Sequence, residues 1–82
     1  MKAIEDVLYD LVLPIVEDEK SLSVQRLASL DEDDIILTIY AESADIARLI
    51  GRQGFMAQAI RQTMSIGSRV MDKRLNIKFE SY

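Results

Sequence analysis

Hydrophobic residues recur every three to four positions at the start of the chain, and acidic residues fill many of the positions between them. The residues that set this spacing are Ile4, Leu8, Leu11 and Ile15. Such spacing is typical of an amphipathic helix, and we expect one over Lys2–Asp18. Pro14 lies inside this span, and because proline lacks a backbone N–H, it predicts a kink or a restart of the helix there.

The spacing changes to alternation in three later segments. Ser21–Leu30 alternates loosely and Ile35–Ala41 is rich in β-branched and aromatic residues, so we expect both to be strands. The acidic turn Asp31–Asp34 separates them, which favours a β-hairpin. Arg74–Glu80 alternates cleanly between polar and apolar residues and predicts a third, half-buried strand.

Two helical runs, Ser43–Ile50 and Phe55–Met71, lie between the second and third strands. The predicted order of elements is therefore α-β-β-α-α-β. This order indicates an α+β fold in which a three-stranded sheet has its helices packed on one face. The chain has 82 residues, near the lower end of the range for independent folding, and we expect residues 1–82 to form a single domain.

The segment Gly51-Arg52-Gln53-Gly54 separates the two helical runs and carries the most specific chemistry in the chain. Glycine has no Cβ, so another backbone can approach closely at Gly51 and Gly54. The loop ends at a helix N-terminus, where N–H groups point outward and attract anions. Arg52 adds a cation that can pair with phosphate, and Gln53 adds an amide. This combination suits a sugar-phosphate backbone, although a GxxG sequence alone is common in ordinary turns.

Composition excludes several kinds of site. The chain has no cysteine and no histidine, so it lacks thiol nucleophiles, zinc-thiolate sites and the commonest general base. We therefore expect no enzymatic activity, no cofactor and no metal. Asp31–Asp34 is expected to be a solvated turn, because four consecutive acids cannot all face one ion. Apolar stretches are short and interrupted by acids, so we expect no membrane span and a cytoplasmic protein.

Charge is distributed unevenly along the chain, whose net charge is −4. Residues 1–45 carry a net charge of −9, and residues 46–82 carry +5. This asymmetry suggests one acidic and one basic surface, with the glycine loop in the basic half. The alternative is that these charges only solvate the outer faces of the helices.

The order of elements and the Ile50-Gly51-Arg52-Gln53-Gly54 motif together resemble a KH domain of the type II order, in which a helix and a strand precede a βααβ core. The resemblance covers the whole chain and is strongest to the small bacterial single-KH-domain proteins of the KhpA family. Three further segments carry it, namely Ile4–Leu8, Leu13–Val16 and Ala59–Arg61.

This resemblance implies binding of single-stranded RNA in a groove, with the two helices and the loop as one wall and the third strand as the other. It also implies a homodimer, or pairing with a larger KH protein of the Jag family, and RNA-dependent control of cell division, cell shape and envelope growth. The position after the second loop glycine is usually basic in the family. Here it is Phe55, which either packs in the core or stacks on a base.

Further residues complete the predicted RNA site. Ile46 and Ile50 floor the groove, unless they are plain core residues. The N–H of Gly54 and those of the following turn hold a phosphate at the helix start. The residues expected to attract RNA at longer range are Arg48, Arg61, Lys73 and Arg74. For Arg61 the alternative is a solvated helix face.

The helical run Phe55–Met71 has an apolar arc of about 180°, wider than the ~100° that one sheet face requires. Its surplus edge is predicted to contact a partner helix through Met56, Ile60 and Met64. The alternative is a helix buried deeply in a small core. A KH-fold adaptor between proteins, with only residual RNA binding, is therefore the second functional hypothesis.

Overall fold

The computed structural model of the chain describes residues 3–71 and 73–82. Its elements follow the predicted order, which confirms the α+β class. The helices and strands are α1 Ile4–Val12, β1 Ser23–Leu27, β2 Asp34–Ala41, α2 Ser43–Ile50, α3 Phe55–Met71 and β3 Arg74–Ser81. Two short 3-10 turns, Glu19–Ser21 and Arg52–Gly54, precede β1 and α3.

The three strands form one mixed sheet with β2 at its centre. β1 pairs with β2 in the antiparallel direction, so that Val24 lies opposite Ile39. β3 pairs with β2 in the parallel direction, and Leu37 lies opposite Ile77. The hairpin between β1 and β2 was predicted, and the parallel partner follows from the helical crossover that returns the chain to the same side of the sheet.

One face of β2 forms the centre of the hydrophobic core. Alternate residues of this strand are buried against the helices, which matches the period of a strand, and Thr38 on the other face is buried as well. The residues that face the helices are Ile35, Leu37, Ile39 and Ala41. The helices add the buried side chains Leu8, Val12, Leu49, Ile60 and Met64. The predicted packing of helices on one face of the sheet is therefore confirmed.

The first helix is shorter than predicted. It ends at Val12 rather than at Asp18, because Pro14 has no N–H to donate to the carbonyl of Asp10. The Leu13 N–H still makes a helical bond to the Tyr9 carbonyl at 2.9 Å, whereas the Ile15 N–H bonds to the Val12 carbonyl at 2.9 Å in a tighter turn. The proline therefore ends the helix, and Lys2 lies outside the described residues.

The first strand is also shorter than the predicted Ser21–Leu30. Ser21 belongs to the 3-10 turn, and the strand runs only over Ser23–Leu27. After Leu27 the chain turns away, and the Ser29 hydroxyl accepts a hydrogen bond from the Asp31 N–H at 3.2 Å. Such local side-chain bonds compete with strand pairing, which is why loose alternation overstated the strand.

A buried carboxylate fastens the segment after α1 to the start of α2. Asp45 accepts the backbone N–H groups of Glu17 and Asp18, each at 3.0 Å, through its two oxygens. Arg48 donates to Asp45 Oδ1 at 2.7 Å and pairs with Glu17 Oε1 at 3.0 Å. The N–H groups of Glu17 and Asp18, helped by Arg48, hold the pKa of Asp45 below its ordinary value of 3.8, although burial opposes the shift.

We expect Asp45→Asn to lower the melting temperature at neutral pH, because an amide cannot accept both N–H groups and also face Arg48. Because the pKa of Asp45 is lowered in the folded state, the unfolded chain takes up this proton at a higher pH than the folded chain does. The stabilisation is therefore complete above pH 3.8 and is lost as the pH falls through the folded pKa. Thermal melts from pH 7 to pH 2.5 should show the difference from wild type shrinking below about pH 4. Glu19→Gln, which removes an exposed carboxylate nearby, should change little; equal melts for Asp45→Asn and wild type at pH 7 would contradict this role.

Candidate nucleic-acid interface

The glycine loop connects α2 to α3 through three residues with left-handed backbone angles. Gly51 has φ 76° and ψ 174°, Gln53 has φ 56° and ψ 21°, and Gly54 has φ 80°. Two bonds close the turn, since the Gly51 N–H donates to the Ala47 carbonyl at 2.9 Å and the Gly54 N–H donates to the Gly51 carbonyl at 3.2 Å. The Gly54 N–H, predicted to bind an anion, is therefore already occupied within the turn.

The two glycines have different structural roles. A Cβ added to Gly51 would lie 2.7 Å from Met56 Cβ and 2.8 Å from the Met56 backbone nitrogen, which no side chain can tolerate. A Cβ added to Gly54 would meet nothing within 4 Å. Gly51 is therefore required by the fold, whereas Gly54 leaves the outer surface of the loop open to an approaching ligand.

Arg52 and Gln53 lie at the tip of this loop and are exposed. Within the described part of the chain, no carboxylate pairs with Arg52, so its guanidinium is available to an external anion. Gln53 is the non-glycine residue with a positive φ in residues 3–71 and 73–82. Strained backbone of this kind is concentrated at ligand-binding sites, although it identifies no ligand by itself.

The two isoleucines predicted to floor the groove have different positions. Ile46 is only 8% exposed and belongs to the core, as the alternative interpretation held. Ile50, at the end of α2 beside the loop, is 38% exposed. The apolar surface next to the glycine loop is therefore provided by Ile50, whereas Ile46 packs in the core.

Several of the cations expected to attract RNA are paired within the protein. Arg48 is held by Asp45 and Glu17, as described above. Arg74 pairs with Asp31 and Asp34, each at 2.8 Å, and the Lys73 ammonium donates to the Glu32 carbonyl. The predicted separation into an acidic and a basic surface is therefore wrong in part, because these pairs join the basic second half to the acidic first half.

Arg61 is anchored against β3 instead of extending freely into solvent. Its Nη2 donates to the Ile77 carbonyl at 3.3 Å, and its guanidinium lies 5.5 Å from the centre of the Phe79 ring, within the range of a cation–π contact. It lines a cleft of about 430 Å³ together with Ile36, Leu75, Asn76, Ile77 and Lys78. Asn76 and Lys78 were not predicted to line a cleft, although their alternation with Leu75 and Ile77 places them on the face away from the helices.

The surface predicted to contact a partner requires correction. Ile60 and Met64 are each 3% exposed and fill the core, so only Met56 of the three is exposed. The apolar surplus of α3 lies on the opposite edge, where Phe55 is 64% exposed and Ile66 is 66% exposed. Phe55 is therefore not a core residue. The Ile60 side of the apolar arc of α3 packs into the core, so the edge that carries Phe55 and Ile66 stays uncovered.

In residues 3–71 and 73–82, no group of three acidic, histidine or cysteine side chains is arranged to hold a metal ion. None of the helices described there combines the length and apolar character that crossing a bilayer requires.

The αββααβ order, the mixed three-stranded sheet and the open glycine loop between α2 and α3 define a KH domain of the type II order. The sequence matches the family described as KhpA/KhpB, KH domain, over residues 5–79. The chain belongs to this family, and the match supports a KH domain of the KhpA type. A search of curated proteins finds no significant match. The KH domain is a non-catalytic RNA-binding fold, so the chain is an RNA-binding KH protein in this general sense.

Proposed function

We propose that this chain is a non-catalytic protein that binds single-stranded RNA by clamping the phosphate backbone with Gly51–Gly54. The observation that carries this function is the loop tip. There Arg52, which pairs with no carboxylate among the described residues, and the exposed Gln53 stand beside an open Gly54. GxxG loops of KH domains clamp about four backbone nucleotides. In such a complex Arg52 pairs with a phosphate, and Gln53 donates its amide to a phosphate or sugar oxygen.

The lack of a side chain at Gly54 lets the phosphate approach the loop surface, because nothing lies within 4 Å of where a Cβ would be. Ile50 offers an apolar surface to the adjacent base, and Arg61 holds a second positive charge near β3. Arg48 contributes to the fold through Asp45 and Glu17 and is not part of the proposed contact. Phe55 lies exposed directly after the loop and is placed to stack on a base.

Membership of the KhpA/KhpB family supports a wider role. We infer that residues 1–82 act as one domain in the cytoplasm, as an RNA chaperone in post-transcriptional control linked to cell division and envelope growth. No enzymatic activity is proposed, and no cofactor is required. Self-association belongs to the same proposal, since a single site holds few nucleotides and two joined sites raise the apparent affinity.

The outer face of α3 supports the proposed self-association. Phe55, Ala59 and Ile66 are exposed and recur at spacings of four and seven residues, so they follow one stripe along the helix. Such a stripe suits antiparallel packing against the same helix of a second copy, or against a larger Jag-type KH protein. Ile60 and Met64, being buried, support this helix from inside instead of forming the contact.

We expect Ile66→Glu to convert the protein to a monomer, because a charge at the centre of an apolar helix contact is costly to bury. Sedimentation velocity at several concentrations measures the change, and circular dichroism checks the fold. Gln58→Glu places the same side chain at an exposed position on another side of α3 and should leave association intact. Dimers that persist in the Ile66→Glu protein would show that the contact lies on another surface. Ile60→Asp is not a suitable test, since it should unfold the chain.

A second candidate function is an adaptor that binds proteins and retains little affinity for RNA. The observation that favours it is Phe55, an exposed apolar side chain where a cation is expected, next to the apolar stripe of α3. This function predicts negligible RNA affinity at physiological salt and partner binding that survives changes in the glycine loop. RNA binding by the wild-type chain near 150 mM salt would decide against it.

A further inference from the structure

The face of the sheet opposite the helices carries an unused set of polar side chains on β3. Asn76 and Lys78 are exposed on this face, and the register places Asn76 opposite Ile36 of β2. Their neighbours Leu75 and Ile77 point to the helices. Lys78 forms no ion pair with any residue in the described part of the chain. β3 therefore presents an amide and an available cation to solvent.

The cleft of about 430 Å³ is lined by residues from both faces of the sheet, next to the outer strand β3. Arg61 and Ile77 line it from the helix side, and Ile36, Asn76 and Lys78 line it from the other side. The Arg74 N–H donates to the Asp33 carbonyl, so the backbone groups of Arg74 face β2. Because successive residues of a strand alternate, the Ile77 carbonyl faces the outer edge of β3, where it accepts the hydrogen bond from Arg61. Arg61 therefore stands at the boundary between the proposed RNA groove and the open face.

The lining of this cleft matches the chemistry of a nucleotide. Two of its side chains, Arg61 and Lys78, are cations, and none is acidic. Ile36 offers an apolar surface for a base, and the Asn76 amide can both donate to and accept from a base edge. The volume is within the lower part of the range of small-ligand sites, about 300–1,000 Å³.

We propose that bound RNA continues from the glycine-loop groove around the edge of β3, and that a further nucleotide occupies the cleft beside Ile36, Asn76 and Lys78. This inference rests on the proposed function, since it extends the same RNA strand. Lys78 pairs with the phosphate of this nucleotide, and Asn76 bonds its base edge. RNA is favoured over a protein ligand because the cleft continues the β3 wall of the proposed groove and holds two cations without an acid.

The test compares a tetranucleotide with an octanucleotide of mixed sequence, titrated into labelled protein and followed by NMR and fluorescence anisotropy. For wild type we expect the octamer to bind more tightly and to shift the Asn76 and Lys78 signals, which the tetramer leaves unchanged. Asn76→Ala/Lys78→Ala should weaken octamer binding at least about fivefold and tetramer binding less than twofold. Because the double variant loses one phosphate contact, the slope of log K against log salt concentration for the octamer should become shallower by about 0.7. Lys20→Ala, which removes an exposed cation before β1, is the charge-matched control.

The outcomes separate this inference from the function on which it rests. If the tetramer binds through the glycine loop but the double variant keeps wild-type octamer affinity, the cleft is not a nucleotide site. In that case a length dependence of binding comes from a second copy of the chain. If neither oligonucleotide binds wild type, the proposed function itself fails, and the inference fails with it.

Discussion

Arg52→Asp/Gln53→Asp should abolish detectable binding of single-stranded RNA while leaving the protein folded. Both residues are exposed at the loop tip, and Arg52 pairs with no carboxylate in the described residues, so neither change removes a contact that supports the fold. Aspartate is also among the residues that tolerate the positive φ of position 53. Loss of two charge-assisted bonds and the new repulsion should lower affinity at least about 100-fold, since each such bond contributes about 1.5–3 kcal/mol.

Binding at 50 mM and 200 mM salt, with circular dichroism on each protein, measures this effect. Gln25→Asp/Arg26→Asp is a matched control, because it changes the same two residue types and the same charge on β1, at the far edge of the sheet from β3. We expect the control to retain most of the wild-type affinity. Equal weakening in the two double variants would show that net charge, not the loop, determines binding.

A large loss of stability is expected for Gly51→Ala. The backbone at Gly51, with φ 76° and ψ 174°, lies in a region that is essentially restricted to glycine, and the added Cβ would stand 2.7 Å from Met56 Cβ. Backbone strain and displacement of the start of α3 together should cost about 3 kcal/mol. For a domain of this size, such a loss lowers the melting temperature by about 12–24 °C.

Gly54→Ala is the natural comparison, because its Cβ would be in open space and only the positive φ is unfavourable. We expect it to cost about 1 kcal/mol and to fold normally. Thermal or urea unfolding of the two variants checks the difference. Equal stability of Gly51→Ala and Gly54→Ala would mean that the loop relaxes around Met56 and that Gly51 is not required by the fold.

The order of helices and strands could be predicted from the sequence because each element has its own period. The alternation in β2 and β3 and the glycine break between α2 and α3 are local signals, and the structure follows them closely. The ends of elements were less accurate. Pro14 was expected to kink or restart the first helix but ends it, and the turn before Ser23 shortens the first strand.

The side chains of the candidate site were harder to predict, because their availability depends on distant partners. Arg48 and Arg74 looked equivalent to Arg52 in the sequence, yet Glu17 and Asp31 pair with them across the fold. The same limit applies to α3. Its wide apolar arc could be read from the sequence, but only the packing decides that Ile60 faces the core and Ile66 faces solvent.

The pairing of β2 with β3 has a consequence for how the two parts of the proposed RNA surface form. In the register of these two strands Asp34 lies opposite Arg74, and Ala41 lies opposite Ser81. This half of the sheet therefore closes only after the long crossover through α2 and α3 has been ordered. Closing such a loop is slow relative to local helix formation, and contacts of this kind govern folding rates. The glycine loop, by contrast, is closed by bonds between near neighbours in sequence. The bonds that close the glycine loop can therefore form before β3 joins the sheet. Pulse-labelled hydrogen exchange during refolding should accordingly show protection at the end of α2 earlier than in β3.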